Sequence, residues 1–220
     1  KQKKAQSHKG VAMVASFDKP APLPSNWHVI EPTPTLRSVA VTSIATSNRS
    51  ELVAIPGLRQ VFMLDTKTRK TLGVLPFVHG DVEVIRFSAD CSQLLVGGGI
   101  RGKRGRVSLF NIADGKLVGS YGAEYDSVLA AALHPQLTHV AMGGPKKRVR
   151  VFDVSTGKQA YEVKDHNDWI LGMSFSSNGK LLASGSRDGS IVITRNRDGR
   201  NIHTIQRNQG AVQQVIFSPD

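Results

Sequence analysis

The chain has 220 residues, 40% of them hydrophobic, enough to bury a substantial core as one large domain or two small ones. Its single cysteine, Cys91, excludes an internal disulfide, a cysteine-rich zinc site and a CxxCH haem attachment within these residues. The net charge of +12 favours acidic partners such as phosphate, nucleic acid, anionic surfaces or acidic protein faces, without choosing among them.

No run of eighteen apolar residues is present, so no membrane span is expected. The opening KQKKAQSHKG has neither an initiator Met nor an apolar signal-peptide core, and Phe217 to Asp220 breaks off inside a recurring pattern. The expectation is a piece of a longer protein. Residues 1–35 are rich in Lys and then in Pro (Pro20, Pro22, Pro24, Pro32, Pro34). Proline cannot donate to a sheet ladder and pushes its predecessor toward extended backbone, which predicts a semi-extended tether with a short strand at 10–16.

From about residue 36 the chain repeats itself. Leu133, Phe175 and Phe217 are each 42 residues apart, as are Gly115, Gly157 and Gly199, and again Phe110, Phe152 and Thr194. A period of this length built from short apolar runs predicts blades of four antiparallel strands. The first repeat is weaker, with strands expected at 39–45, 52–55, 61–65 and 71–75. The repeats span about 36–78, 79–124, 125–166 and 167–208, with the first strand of a fifth at 209–220. One interval is longer: Phe87 to Phe110 is 23 residues where the later repeats have 19. Four extra residues predict an enlarged loop over 97–105, GGGIRGKRG, whose shortening by four should leave the fold intact.

The clearest repeat is KDHNDWILGMSFSSNGKLLASGSRDGSIVITR, residues 164–195. Asn178-Gly179 and Asp188-Gly189 supply the positive φ angles of tight hairpins, so three apolar runs become a meander. Its His, Phe-Ser, Asn-Gly, LLASGS-x-Asp-Gly and Ile-x-Ile order resembles a WD repeat, one blade of a β-propeller. The fold class this implies is all-β, a partial WD40 propeller of about four blades plus one strand of a fifth. Blades bury both faces against neighbours, so an arc of four leaves an apolar face in water.

Several constellations have two readings. His166 and Asp188 fall before the first strand and in the turn after the second, both at the same end of the blade, where a carboxylate near the imidazole would fix its tautomer and tie the turn to the blade's entry; they are read as a structural network rather than a catalytic pair, since no nucleophile accompanies them. Thr194 and Arg195 stand where WD repeats carry Trp and Asp. Gly97-x4-Gly102-Lys103 imitates a P-loop, but Arg104 replaces the magnesium-binding Ser or Thr and a strand follows instead of a helix. His134 and His139 straddle a hairpin and can approach each other, yet no third metal ligand is nearby, so they are read as two surface histidines. Asn48-Arg49-Ser50 fits a glycosylation sequon, a match that is frequent by chance.

The basic hairpins carry the strongest signal. Antiparallel strands send every second-to-third-strand loop to one face, gathering Arg59, Arg101, Lys103, Arg104, Arg106, Lys146, Lys147, Arg148 and Arg187 on one rim. Only Asp188 opposes them within those loops, and a one-sign field calls for an acidic cover. Trp169 beside the rim is either an aromatic contact or partly buried packing.

Beyond the WD pattern, residues 36–220 resemble WD-repeat regions of large bacterial proteins with a planctomycete-type c-type cytochrome domain. The matching stretches are LGVLPF, LLVGGGIRGKRGRVSLFN, AEYDSVLAAALHP, MGGPKKRVRVFD and HNDWILGMSF. The resemblance implies an extracytoplasmic protein with its haem in a neighbouring domain and no cofactor in these residues. The expected function is a non-enzymatic interaction scaffold, binding an acidic protein partner or another domain of its own chain through the rim. The alternatives are the propeller of an electron-transfer enzyme, or a nucleic-acid-binding propeller, which fits poorly with an extracytoplasmic location.

Overall fold

The computed structural model describes residues 40–206 and 209–218. The proline-rich tether and its strand at 10–16 lie outside the described residues. Sixteen strands among those described form four sheets, and no helix intervenes. The first sheet holds β1 (Ala45–Thr46), β2 (Leu52–Gly57), β3 (Gln60–Asp65) and β4 (Thr71–Pro76). The second holds β5 (Asp81–Phe87), β6 (Gln93–Ile100), β7 (Arg104–Asn111) and β8 (Leu117–Glu124). The third holds β9 (Ala130–Leu133), β10 (His139–Gly143), β11 (Val149–Asp153) and β12 (Gln159–Val163). The fourth holds β13 (Ile170–Phe175), β14 (Leu181–Ser186), β15 (Ile191–Arg195) and β16 (Asn201–Ile205). Each sheet pairs its strands antiparallel in chain order, the blade meander that the repeat predicts.

Residues 40–44 do not pair as the expected early part of β1. Their hydroxyls reach the next sheet instead, Thr42 Oγ1 donating to the Val82 carbonyl at 2.7 Å and Ser43 Oγ accepting from Ile85 N at 3.2 Å. Residues 211–218 likewise form no ladder among the described residues. They lie along the fourth sheet, with Val212 N donating to the Ser186 carbonyl at 2.9 Å and Val215 buried.

Successive side chains on a strand point to opposite faces, and here both faces are covered. In β6, Leu94 and Val96 pack toward the first sheet while Leu95 packs toward the third. Three separate cores result, one at each junction between neighbouring sheets. The first centres on Met63, Phe77 and Leu94, the second on Leu95, Leu109 and Met142, and the third on Val151, Ile170 and Leu182. The outward face of the first sheet leaves Val53, Ile55, Phe62 and Leu64 only half-buried. The turn from third to fourth strand recurs with Gly115, Gly157 and Gly199 at φ 68°, 68° and 71°; Arg69, at φ 58°, holds that place in the first sheet.

The long interval is not an enlarged loop. Only residues 101–103 separate β6 from β7, against five residues in the third sheet and four in the fourth. The extra length extends the strands to eight residues each, pairing Gly97 with Val107, Gly98 with Arg106, Gly99 with Gly105 and Ile100 with Arg104. Glycines permit this because other backbone passes against them. A Cβ on Gly98 would lie 2.0 Å from the Asp81 carbonyl oxygen, and one on Gly105 2.1 Å from that of Asp126. Low hydrophobicity here marks close backbone approach rather than a solvated tip.

The fourth sheet is fastened through His166. Its buried ring bonds Ser184 Oγ through Nε2 at 2.7 Å and Ser190 Oγ through Nδ1 at 3.0 Å. Asp188 does not set the tautomer as expected: its Oδ2 is 3.9 Å from Nδ1 and accepts from Asn167 N at 2.6 Å, while Oδ1 accepts from Ser190 N. The carboxylate ties the turn to the entry of β13 through backbone, and the serines hold the ring. Desolvation keeps His166 below the ordinary histidine value, although Asp188 and Asp165 pull it upward. Burial pushes Asp188 up, but the bonds from Ser190 and Asn167 outweigh it and leave the carboxyl at about 2.

Gly98→Ala should therefore cost on the order of 2–4 kcal/mol in chemical unfolding, because the obstacle is backbone. Gly102→Ala, with open space but φ 66°, should cost about 1 kcal/mol. Equal, small losses at both sites would contradict the extended hairpin. Acid should also weaken the fold in two windows. Below pH ~6.5 the unfolded chain takes up a proton that buried His166 refuses, so stability falls as pH falls; the Asp188 contribution is full above its ordinary value of 3.8 and is lost toward about 2. Urea titrations at pH 7.5 and 5 should show the first loss, smaller in His166→Asn, with His134, also lowered by burial, giving part of the remainder.

Candidate functional site

Each second-to-third-strand turn is bonded to the connection that enters or leaves its sheet. Phe77 N donates to the Arg59 carbonyl at 2.8 Å, Leu129 N to that of Gly143 at 3.0 Å, and Arg187 N to that of Trp169 at 2.8 Å. Gly102 N donates to Asp126 Oδ1 at 3.0 Å. Hairpins and connections therefore share one face, and all nine cationic residues lie on it or beside it. Arg104 and Arg106 stand on β7 rather than in a loop.

The hairpins around Arg101 and Lys146 flank one connection, residues 124–129. Its Asp126 caps the first hairpin, and Lys146 Nζ lies 5.4 Å from the ring centroid of Tyr125. Tyr125 is 75% exposed and stands between two hollows. One, of about 430 Å³, is lined by His79, Lys103, Arg104 and Arg106. The other, of about 420 Å³, is lined by Lys146, Arg148, Arg150 and Glu162. His79 records the local field: burial first, then Arg106 and Arg104, depress its affinity for a proton.

Within the hairpins Asp188 is the one carboxylate, as expected, but the rim as a whole is not the one-sign field inferred from that. Arg101 pairs with Glu83 at 3.4 Å, Arg148 with Glu162 at 3.2 Å and Arg187 with Asp168 at 3.3 Å. These carboxylates come from strand ends and connections, which the hairpin count omitted although they emerge on the same face. Arg104 donates to the carbonyls of His79 and Val78. Arg59, Lys103, Arg106, Lys146 and Lys147 have no carboxylate partner among the described residues, and all but half-buried Arg106 are exposed. Trp169 is 39% exposed and covered by Arg187, whose guanidinium carbon is 5.0 Å from the ring centroid.

Sequence reasoning missed Arg150, which bonds Glu124 across the junction of second and third sheets and Gln159 at 2.8 Å. Burial raises Glu162, but hydrogen bonds from Arg148 and Lys164 outweigh it and hold the carboxyl below the usual range. His134 is not the surface residue expected: it is buried, with Nε2 3.0 Å from the Gly179 carbonyl, and clamps the third sheet to the fourth. His139 stacks edge-on against it at 5.7 Å. Among the described residues no group of three or more His, Cys, Asp or Glu is placed to hold a metal, and no helix is long and apolar enough to cross a membrane.

Known proteins share this pattern. The family model for the WD domain, G-beta repeat, matches residues 157–194, from the last turn of the third sheet into β15. The THO complex subunit 6 homolog of Danio rerio is 24% identical over 174 residues, 74% of this chain and 52% of that protein. Apoptotic protease-activating factor 1 of Rattus norvegicus is 27% identical over 125 residues, 53% of this chain and 10% of that protein. The chain thus spans about half the length, or less, of these relatives. A chain in the crystal structure of the mitotic checkpoint complex aligns with a TM-score of 0.68 at 19% identity, covering 79% of this chain and 52% of that one. Four antiparallel meanders packed face to face, a WD repeat within them and this structural likeness make the described residues an arc of a WD40 β-propeller.

Proposed function

We propose that this arc is a non-catalytic interaction scaffold that docks an acidic protein surface on its basic rim. The observation that carries the reading is the set of five rim cations left without a carboxylate among the described residues, three of which, Lys103, Arg106 and Lys146, line the two hollows beside exposed Tyr125. Like charges held together repel, and an acidic partner relieves the repulsion while steering its own approach. Relatives named as a THO complex subunit and as a member of the mitotic checkpoint complex belong to assemblies, which favours binding over chemistry. The His166–Ser184 contact is unsuited to catalysis, since both side chains are buried inside the sheet.

The partner is an acidic protein or another domain of the same chain. We infer from the sequence resemblance alone that this other domain is a haem domain, that the protein lies outside the cytoplasm and that residues 36–220 hold no cofactor. Carboxylates at 3.2–3.4 Å from Arg101, Arg148 and Arg187 disfavour a nucleic-acid backbone, because they reduce the number of cations free to neutralise phosphates and would repel them.

Reversing Lys103, Lys146 and Lys147 to Glu tests the docking face without touching an ion pair. Association with the partner should slow about tenfold or more at low salt, and the difference should shrink as ionic strength rises. Unfolding free energy should move by less than about 0.5 kcal/mol. Unchanged capture of every partner at low salt would rule the rim out.

A further inference from the structure

The first strands of successive sheets contact one another and form the inner wall of the arc. Their turns into the second strands lie on the face opposite the rim, where two cavities open. One, of about 340 Å³, runs between Thr46, Asn48 and Phe87. The other, of about 320 Å³, is walled by Leu133, Met173, Phe175 and Phe217. Arg86 of β5 lines both, and no other formally charged residue lines either.

Arg86 is poorly provided for. Its Nε is buried with no hydrogen-bond partner, and no carboxylate pairs with the guanidinium among the described residues. Burial alone lowers its affinity for a proton, with no opposing cause. Arg86 is half-buried, and a cation partly withdrawn from water without a counter-charge is disfavoured, buried guanidinium groups being ordinarily paired. The planar fork of the guanidinium matches a carboxylate in two parallel hydrogen bonds. Leu133, Met173, Phe175 and Phe217 wall the second cavity, with Ser174, Ser177 and Ser218 among them; one cation and neutral hydroxyls match a single negative charge better than the two of a phosphate monoester, and the apolar side chains suit a largely apolar body.

The geometry points to Arg86 as the anchor of a binding site for a small monocarboxylate with an apolar body, seated in the axial cavity opposite the rim. The site is independent of the proposed rim function. The carboxylate bonds the guanidinium fork, and the hydrocarbon lies against Leu133, Met173 and Phe175.

Titration of the full-length protein with hexanoate and with hexanamide, its neutral counterpart of similar shape, tests the assignment. Hexanoate should bind at least tenfold more tightly, Arg86→Met should abolish that preference, and Arg86→Lys should keep part of it. The Lys103, Lys146 and Lys147 reversal should leave hexanoate binding unchanged, which separates this site from the rim. If Arg86→Met does not fold, the Nε–H resonance of Arg86 in the unaltered protein must shift with hexanoate and not with hexanamide. Equal binding of the two probes, no saturable hexanoate binding, or a preference retained in Arg86→Met would overturn the proposal. So would a carboxylate of the protein's own chain found paired with Arg86 in the full-length structure.

Discussion

Every sheet in this arc must bury both of its faces against its neighbours, and the rest of the structure follows from that. A strand covered on two sides cannot alternate apolar with polar, so β6 begins Leu94-Leu95-Val96 with side chains serving two different cores. Where the second sheet runs longer than the others, four of its positions have no room for a side chain: β5 crosses Gly97 and Gly98, Arg104 of β7 crowds Gly99, and the 124–129 connection passes Gly105. Glycine at 97, 98, 99 and 105 is the solution to that crowding, and the hairpin extends as ladder because its backbone groups still need partners.

That crowding explains what the sequence disclosed and what it hid. Period, strand order and the turn glycines at 115, 157 and 199 were legible because each is a local requirement repeated at a fixed interval. The first repeat was fainter for a physical reason: Arg69 adopts the left-handed conformation its counterparts assign to glycine. The glycine run was misread because a residue with no side chain carries no periodicity, and loop and close-packed ladder are then alike in sequence. His134 was misplaced on the surface for a related reason. Its burial depends on the Gly179 turn of the next sheet, a contact 45 residues away that no local pattern encodes.

The rim shows how topology can be right about position and incomplete about charge. Antiparallel alternation correctly gathered the hairpin cations on one face, with the Arg101 and Lys146 hairpins meeting on either side of Tyr125. The same alternation brings the connections between sheets to that face, and with them Glu83, Asp126, Glu162 and Asp168. Arg101, Arg148 and Arg187 are thereby held in ion pairs, exposed ones that contribute little to stability but reduce the field. What remains is a smaller set of cations without a carboxylate among the described residues, of which Lys103, Arg106 and Lys146 line the hollows on either side of exposed Tyr125.

Opposite ends of the same sheet place arginine in two electrostatic regimes. On the rim, water screens the exposed guanidinium of Arg101, so its pairing with Glu83 contributes little to stability. Arg86, five residues from Asp81 at the rim end of β5, is half-buried beside Phe87, Met173 and Phe175, where screening is weaker and an unpaired charge is disfavoured. The sequence presents both as an arginine near a strand end. Only the closing of sheet upon sheet separates them, because the depth of the inner wall is a property of the arc and of no single repeat. A charge retained at that depth, with Nε unsatisfied, is explained by a counter-charge that completes it.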